Sequence, residues 1–298
     1  MSLPELFSKF PDEQAAARWF EEYLWPDGCR SCPHCESECV QCVQSAKPMP
    51  YRCGECKKYF SLRTGTPMRE SNLPLRLWAI AIFLIVTRPK GVSSVQLAKD
   101  LGITQKSAWF LAHRIREGFD IQHEAFNGPV EVDEAYIGGK EKNKHWDKKL
   151  RAGRGAVGKT PVFGIVDRDT NSVVAAPAVS ADSLTADRML DRCVDEDAMI
   201  YTDTSSIYNH LGNHDSVNHS RGEYVRGDCH TNSIESFWAL LKRGHYATFH
   251  WMSPKHLHRY VAEFAGRHNI RPLPALERMD MILAGWRGKR LTYRELVS

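Results

Sequence analysis

The residues with the clearest chemical potential lie in the run GDCHTNSIESFWALLKRG at positions 227–244. At about 3.6 residues per turn, this run predicts a helix with two unlike faces. The apolar face consists of Ile234, Phe237, Leu240 and Leu241. The opposite face carries Asn232, Glu235, Ala239 and Lys242. A carboxylate and a cation two turns apart on one face suit a phosphate backbone beside a metal ion, although a solvated helix often has such a face as well.

Two further carboxylates belong to predicted strands. The run PVEVDEAYI at 129–137 alternates as a strand does, so Asp133 lies within a strand and Glu134 points to its opposite face. Residues 198–202 form a predicted buried strand, and Asp203 comes at its end. The full order is a strand with Asp133, two strands, a helix, the strand ending at Asp203, and the helix of Glu235. This is the order of an RNase H-like fold, in which the first and fourth strands are neighbours at the centre of the sheet.

That order predicts that Asp133, Asp203 and Glu235 converge. Three adjacent carboxylates repel one another without a cation, and oxygen ligands favour magnesium or manganese. Two such ions activate an attacking oxygen and stabilise the leaving oxygen of a phosphodiester. The sequence therefore predicts metal-dependent phosphodiester chemistry in this part of the chain.

The first 70 residues contain two pairs of cysteines with the spacing of zinc knuckles. CPHC and CGEC supply the expected ligands of one structural zinc ion, Cys32, Cys35, Cys53 and Cys56. Cys29, Cys39 and Cys42 also have knuckle spacing with neighbouring cysteines, so another ligand set stays open. A segment this small needs the metal to fold. The ribbon is expected to contact either DNA or another protein.

Residues 71–119 have a helical pattern. A buried helix ends near Pro89 and Gly91, and two shorter helices follow, capped by Ser93 or Ser94 and by Thr104. This resembles a helix-turn-helix, whose second helix would offer cations to a duplex; those singled out are Lys106, Arg114 and Arg116. The alternative is a module that serves only packing or dimerisation.

A basic stretch at 138–159 separates the strand of Asp133 from the next one. Phosphate contacts are predicted for Lys148, Lys149, Arg151 and Arg154, together with Lys242 and Arg243 of the later helix. A solvated charge run is the usual alternative for such a composition.

Composition sets the outer limits of these predictions. The chain has 298 residues, 42% of them hydrophobic, and a formal net charge of +4. Its N-terminus lacks the layout of a signal peptide, and its most apolar run, residues 78–86, is about half of a membrane span. We expect a cytoplasmic protein without membrane contact, in which cysteines stay reduced and bind metal. The predicted class is α+β with several domains: a zinc ribbon with an N-terminal helix at 1–70, a helix-turn-helix-like DNA-binding segment at 71–120, an RNase H-like α/β catalytic domain with a mixed sheet at 127–275 and a tail at 276–298.

Several motifs together resemble the ISXO-like bacterial insertion-sequence transposases. They are CPHC with CGEC, SLRTGTPMRESNLPLRLW, VDEAYIGGK, YTD, HTNSIESFWALLKRG and RYVAEFAGRHNIR. The resemblance implies an N-terminal zinc ribbon, a helical DNA-binding segment and a DDE catalytic domain that cleaves and joins DNA strands. It implies terminal inverted repeats and target DNA as partners, with self-association on DNA.

By this resemblance Asp133, Asp203 and Glu235 match the catalytic triad, and Lys242 matches the basic residue seven positions after the Glu. Asn232 lies one turn before Glu235 on the same face and is the alternative third residue. Glu235 is favoured because only it carries a charge. Two other functions stay open: a nuclease that hydrolyses without joining strands, and a DNA-binding regulator without catalysis.

Overall fold

The computed structural model describes all residues except 121–123, 151–154, 219–222, 224 and 287, and of Lys148 only the backbone. The chain forms two compact units. The first consists of Met1–Phe119 with Pro272–Ser298, and the second is Asp120–Arg271.

The first unit begins with two helices and a small antiparallel sheet. The helices are α1 (Leu3–Lys9) and α2 (Glu13–Leu24), and the strands are β1 (Val40–Cys42), β2 (Tyr51–Cys53) and β3 (Tyr59–Phe60). The strands pair in the order β1-β2-β3. Their core is small, with Cys32, Tyr51, Cys53 and Phe60 as its buried members. Strands of two or three residues around so small a core cannot be stable on their own.

Three helices follow, α3 (Leu75–Thr87), α4 (Ser94–Leu101) and α5 (Gln105–Arg116). The side chain of Ser93 caps α4, and that of Thr104 caps α5. Between them, Gly102 adopts the left-handed conformation that ends α4. The predicted pair of capped helices is thus confirmed.

The C-terminal residues also pack into the first unit. They form α9 (Ala275–Ala284) and α10 (Tyr293–Val297), and α9 packs against α3. Met279, Ile282, Leu283 and Trp286 are buried there. The segment 276–298 therefore differs from the tail expected from the sequence, because its apolar residues recur at helical spacing and cover one face of α3.

The second unit is built on a mixed five-stranded sheet. Its elements are β4 (Val130–Ile137), β5 (Thr160–Asp167), β6 (Val173–Pro177), α6 (Ser183–Cys193), β7 (Ile200–Asp203), β8 (His214–Val217), α7 (Asn232–Gly244) and α8 (Leu257–Ile270). The strand order is β6-β5-β4-β7-β8. β4 is antiparallel to β5 and parallel to β7, so the two strands expected at the centre are indeed neighbours.

Apolar layers cover both faces of this sheet. On one face, side chains of α7 and α8 such as Phe237 and Phe264 pack against Ala135 and Ile137 of β4. On the other face, α6 and Tyr208 pack against Val130 and Val132. This division confirms the alternation predicted for β4. Within the described ranges, no helix combines the length and the apolar character needed to cross a bilayer.

Candidate active site

Helix α7 presents the two faces that its sequence predicts. Ile234, Phe237 and Leu241 are buried against the sheet, and Leu240 is partly buried beside them. Asn232, Glu235 and Lys242 are exposed on the other side, as is Arg243. The helical period explains this division, because residues three, four and seven apart share a face. The candidate third carboxylate and the candidate DNA-binding lysine therefore lie on one solvent-facing surface.

The strands bring Asp133 and Asp203 to neighbouring positions. β4 and β7 pair in parallel with Val130 opposite Ile200 and Glu131 opposite Tyr201, and each aspartate follows two residues after Glu131 and Tyr201 respectively. Burial, followed by the charges of Asp203 and Glu134, raises the pKa of Asp133 to about 7. The charge of Asp203 therefore reaches Asp133, as expected for neighbouring carboxylates.

Glu134 lies on the opposite face of β4 from Asp133, as strand alternation predicts. Its carboxylate accepts a hydrogen bond of 2.9 Å from the hydroxyl of Tyr208. Burial raises the pKa of Glu134, and the charge of Asp203 adds to this effect. Glu134 is thus turned towards Tyr208 and still contributes negative potential to the aspartates.

Trp238, which was not among the predicted site residues, contacts Asp133 directly. Its indole nitrogen donates a hydrogen bond of 3.0 Å to Oδ2 of Asp133. Trp238 occupies a sheet-facing position of α7, four residues after Ile234, and this spacing could have indicated it. One aspartate is therefore held by a side chain of the helix that carries Glu235.

The donor set of this site fits a hard divalent cation. Carboxylate oxygens are the ligands that magnesium and manganese prefer. A cation would also stabilise the charged form of Asp133, whose pKa is raised by burial and by the charges of Asp203 and Glu134. The carboxylate oxygens of the three predicted ligands lie further apart than the atoms of a compact metal site. Across the residues that the structure describes, only the four ribbon cysteines bring three or more potential metal-binding atoms of His, Cys, Asp or Glu within 4.8 Å of one another. The oxygens of Asp133, Asp203 and Glu235 do not form a group that compact.

The ribbon cysteines have the geometry of a zinc site. The sulfur atoms of Cys32 and Cys56 are 3.7 Å apart, and those of Cys35 and Cys53 are 3.6 Å apart. With zinc–sulfur bonds of about 2.3 Å, the edges of a tetrahedron are about 3.8 Å long. Cys29, Cys39 and Cys42 are exposed and lie outside this group. The four-cysteine cluster is therefore a possible structural zinc site.

The predicted DNA contacts of the helical segment need a correction. Lys106 is exposed, but Arg114 and Arg116 are only 6% and 2% exposed. Nε of Arg114 donates to the carbonyl oxygen of Leu291, and its guanidinium lies 4.0 Å from the ring of Phe110. Burial lowers the pKa of Arg114 to about 10. Both arginines are therefore internal and are not offered to a duplex, and the C-terminal segment supplies the backbone partner of Arg114.

The basic stretch connects β4 to β5. Lys149 is exposed, whereas Arg151, Arg154 and the side chain of Lys148 lie outside the described residues. Part of the stretch is folded on itself, since Nζ of Lys144 contacts a carboxylate oxygen of Glu141 at 2.6 Å. Lys149 therefore stays a candidate for phosphate contact, together with Lys242 and Arg243.

Most of the second unit is similar to a known protein domain. Residues 125–269 match the ISXO2-like transposase domain. The chain is also 29% identical over 294 residues to a protein of Halobacterium salinarum described as an uncharacterized protein in transposable element ISH50. That similarity covers 92% of this chain and 97% of the relative. The comparisons confirm the resemblance inferred from the motifs, and residues 125–269 carry the similarity to the ISXO2-like transposase domain.

Proposed function

We propose that this protein is the DNA transposase of an insertion sequence, with a DDE site that cleaves DNA strands and joins them to a target. The observation that carries the proposal is the parallel pairing of β4 with β7, which makes Asp133 and Asp203 neighbours in a transposase-family domain. The strand order β6-β5-β4-β7-β8 supports an RNase H-like fold, because the first strand of the sheet lies between the second and the fourth.

Each polar residue has a distinct proposed role. Asp133, Asp203 and Glu235 would hold divalent magnesium or manganese, which lowers the cost of forming and releasing charged oxygens at phosphorus. Trp238 keeps Asp133 oriented through its N–H group. Asn232 lies beside Glu235 as a hydrogen-bonding neighbour or as the alternative ligand. Lys242 would bind a DNA phosphate, because a protonated amine has no lone pair for a metal.

DNA recognition would begin with the first unit. The ribbon and α5 would bind the terminal inverted repeats, with the exposed Lys106 in contact with phosphates. In the second unit, the exposed Lys149, Lys242 and Arg243 would hold the DNA near the acidic residues. The family resemblance further implies that copies of the chain associate on paired ends.

The test uses the purified full-length protein with magnesium and DNA that carries the flanking ends of its own gene. We expect cleavage and joining. Asp133→Asn, Asp203→Asn and Glu235→Gln should each abolish both reactions and leave end binding intact, because only the oxygen donors to the metal change. Lys242→Ala should weaken activity and DNA positioning without loss of metal binding.

Three outcomes would contradict parts of this proposal. Activity in Glu235→Gln together with its loss in Asn232→Ala would make Asn232 the third ligand. Cleavage without joining would favour a nuclease, since hydrolysis and strand transfer differ only in whether water or a 3'-hydroxyl attacks. Function in the cell despite all three carboxylate substitutions would favour a DNA-binding regulator.

A further inference from the structure

Glu131 is a fully buried carboxylate on β4, two residues before Asp133 and on the same face of the sheet. A charge removed from water is costly unless it is paired and hydrogen-bonded. In the sequence it was one more acidic residue of an alternating strand. Its contacts explain how the interior accommodates it.

One oxygen of Glu131 binds the start of α7. Oε2 accepts hydrogen bonds from the backbone N–H groups of Ser233 and Ile234, at 2.8 and 3.0 Å. The first N–H groups of a helix have no partner within the helix, and the helix dipole favours an anion there. Thr231, at the N-cap position, makes no capping side-chain hydrogen bond. A residue of the central strand therefore caps the helix of Glu235.

The other oxygen accepts a hydrogen bond from Arg168 and lies close to the ring of His230. Oε1 of Glu131 lies 3.1 Å from Nε of Arg168 and 3.0 Å from Nδ1 of His230. Arg168 also donates to the carbonyl oxygens of Asp228 and His230, at 2.6 and 2.7 Å. It thereby ties the segment that leads into α7 to the end of β5.

Arg168 extends this arrangement to β7. Its guanidinium lies 4.0 Å from the ring of Tyr201, the residue paired with Glu131 in the sheet. Tyr201 precedes Asp203 by two residues, as Glu131 precedes Asp133. The group of Glu131, Arg168 and Tyr201, which we call the buried clamp, thus touches all three elements that carry the proposed metal ligands.

We infer that the buried clamp is a positioning device that sets the first turn of α7, and with it Glu235, relative to Asp133 and Asp203. The inference rests on the proposed function. Sheet pairing makes the two aspartates neighbours, whereas Glu235 belongs to a helix that packs mainly by apolar contacts, which have no directional preference. The hydrogen bond of Trp238 to Asp133 lies three residues beyond Glu235. Hydrogen bonds to a single carboxylate do have direction. These bonds act on Ser233 and Ile234, two positions and one position before Glu235 in the chain.

If the buried clamp only stabilised the fold, its removal would have a different effect. A buried ion pair contributes little to stability as a pair, although removal of one partner destabilises the fold. Such a role would lower the melting temperature without a selective effect on metal affinity. The full-length chain contains a matched control, Glu263, a fully buried carboxylate 3.3 Å from Arg267 on the same helix, α8. Glu263→Gln disturbs a buried pair outside the clamp.

The test compares Glu131→Gln with Glu263→Gln in the full-length protein. Glutamine keeps the volume of Glu131 but has one acceptor oxygen, so it cannot satisfy both the α7 N–H groups and Arg168. Binding of Mn²⁺ alone is followed by electron paramagnetic resonance, with Asp133→Asn to identify binding at the proposed site. Hydrogen exchange reports the start of α7, and thermal unfolding reports stability. Arg168→Lys is the second variant, should Glu131→Gln fail to fold.

We expect Glu131→Gln to weaken Mn²⁺ binding about 10- to 100-fold, the range for residues that orient metal ligands. Exchange at Ser233 and Ile234 should rise, and Glu263→Gln should change neither property. Unchanged Mn²⁺ affinity in Glu131→Gln, or an equal loss in Glu263→Gln, would overturn the inference. If Asp133→Asn leaves Mn²⁺ binding intact, the proposed metal site is wrong. In that case hydrogen exchange still tests the buried clamp: unchanged exchange at the start of α7 in Glu131→Gln would overturn it.

Discussion

Gly164 faces Asp133 across the ladder between β4 and β5, and the indole of Trp238 lies against it. A Cβ atom at position 164 would come within 2.7 Å of two ring carbons of Trp238 and within 2.8 Å of Cδ1 of Ile234. Both neighbours belong to the sheet-facing side of α7. The close approach that lets Trp238 reach Asp133 therefore requires a residue without a side chain in the adjacent strand.

At this scale we predict that Gly164→Ala displaces α7. Overpacking of this kind costs about 1–3 kcal/mol, so the free energy of unfolding should fall by that amount in denaturant titrations. DNA cleavage should fall too, because the indole no longer meets Asp133. Gly212→Ala is the control, since a Cβ there would meet no atom within 4 Å. Equal stability of the two variants would contradict the prediction.

The ribbon is the element whose folding we expect to depend most on an ion. Its three strands are short, and its core is little more than two cysteines and two aromatic rings. Apolar burial on this scale is too small to offset the chain entropy lost on folding. Metal binding at the four cysteines would supply the missing free energy. We therefore expect zinc binding to be required for the folding of the ribbon.

We predict about one zinc ion per chain in the full-length protein, bound by the four clustered cysteines. Cys53→Ser should lose the ion in elemental analysis, because Cys53 is buried and belongs to the cluster. Cys39→Ser should keep it, since Cys39 is exposed and lies outside the cluster. Zinc lost from Cys39→Ser and kept in Cys53→Ser would show that the ligand set is different.

At the scale of the whole molecule, the first unit is closed by residues from both ends of the chain. Trp286 is 2% exposed, stacks on Phe20 at 6.5 Å and meets Trp78 edge to face at 5.6 Å. The indole nitrogen of Trp19 donates to Asp280 at 3.0 Å, and Nζ of Lys289 donates to the carbonyl oxygen of Glu117 at 2.9 Å. The first unit is therefore incomplete without residues 272–298.

We predict that Trp286→Ala destabilises the first unit by about 3–5 kcal/mol, the usual cost of removing a buried tryptophan side chain. Thermal unfolding of the full-length protein should show a transition at lower temperature than in the unchanged protein. The affinity for end DNA should fall as well. Trp251→Ala is the control, because Trp251 is 61% exposed. Similar melting curves for both variants would show that the C-terminal segment contributes little to this unit.

Local features of the sequence determined a large part of this description. Helix caps at Ser93 and Thr104, the two faces of α7 and the alternation of β4 follow from contacts between residues close in the chain, whose period is visible in the sequence. The pairing of β4 with β7 also followed, because the order of strands and helices restricts the possible sheets. Whether Asp133, Asp203 and Glu235 share metal ions stays a prediction.

Only the tertiary structure decided which charged residues are internal. Arg114 and Arg116 occupy a helix that looks basic in sequence but both are buried, and Leu291, the partner of Arg114, lies far away in the chain. Glu131 and Trp238 acquire their partners in the same way, across more than 100 positions. A periodic pattern states which face of an element is apolar. It does not state what that face meets, because burial and hydrogen bonding depend on segments brought together by the whole fold.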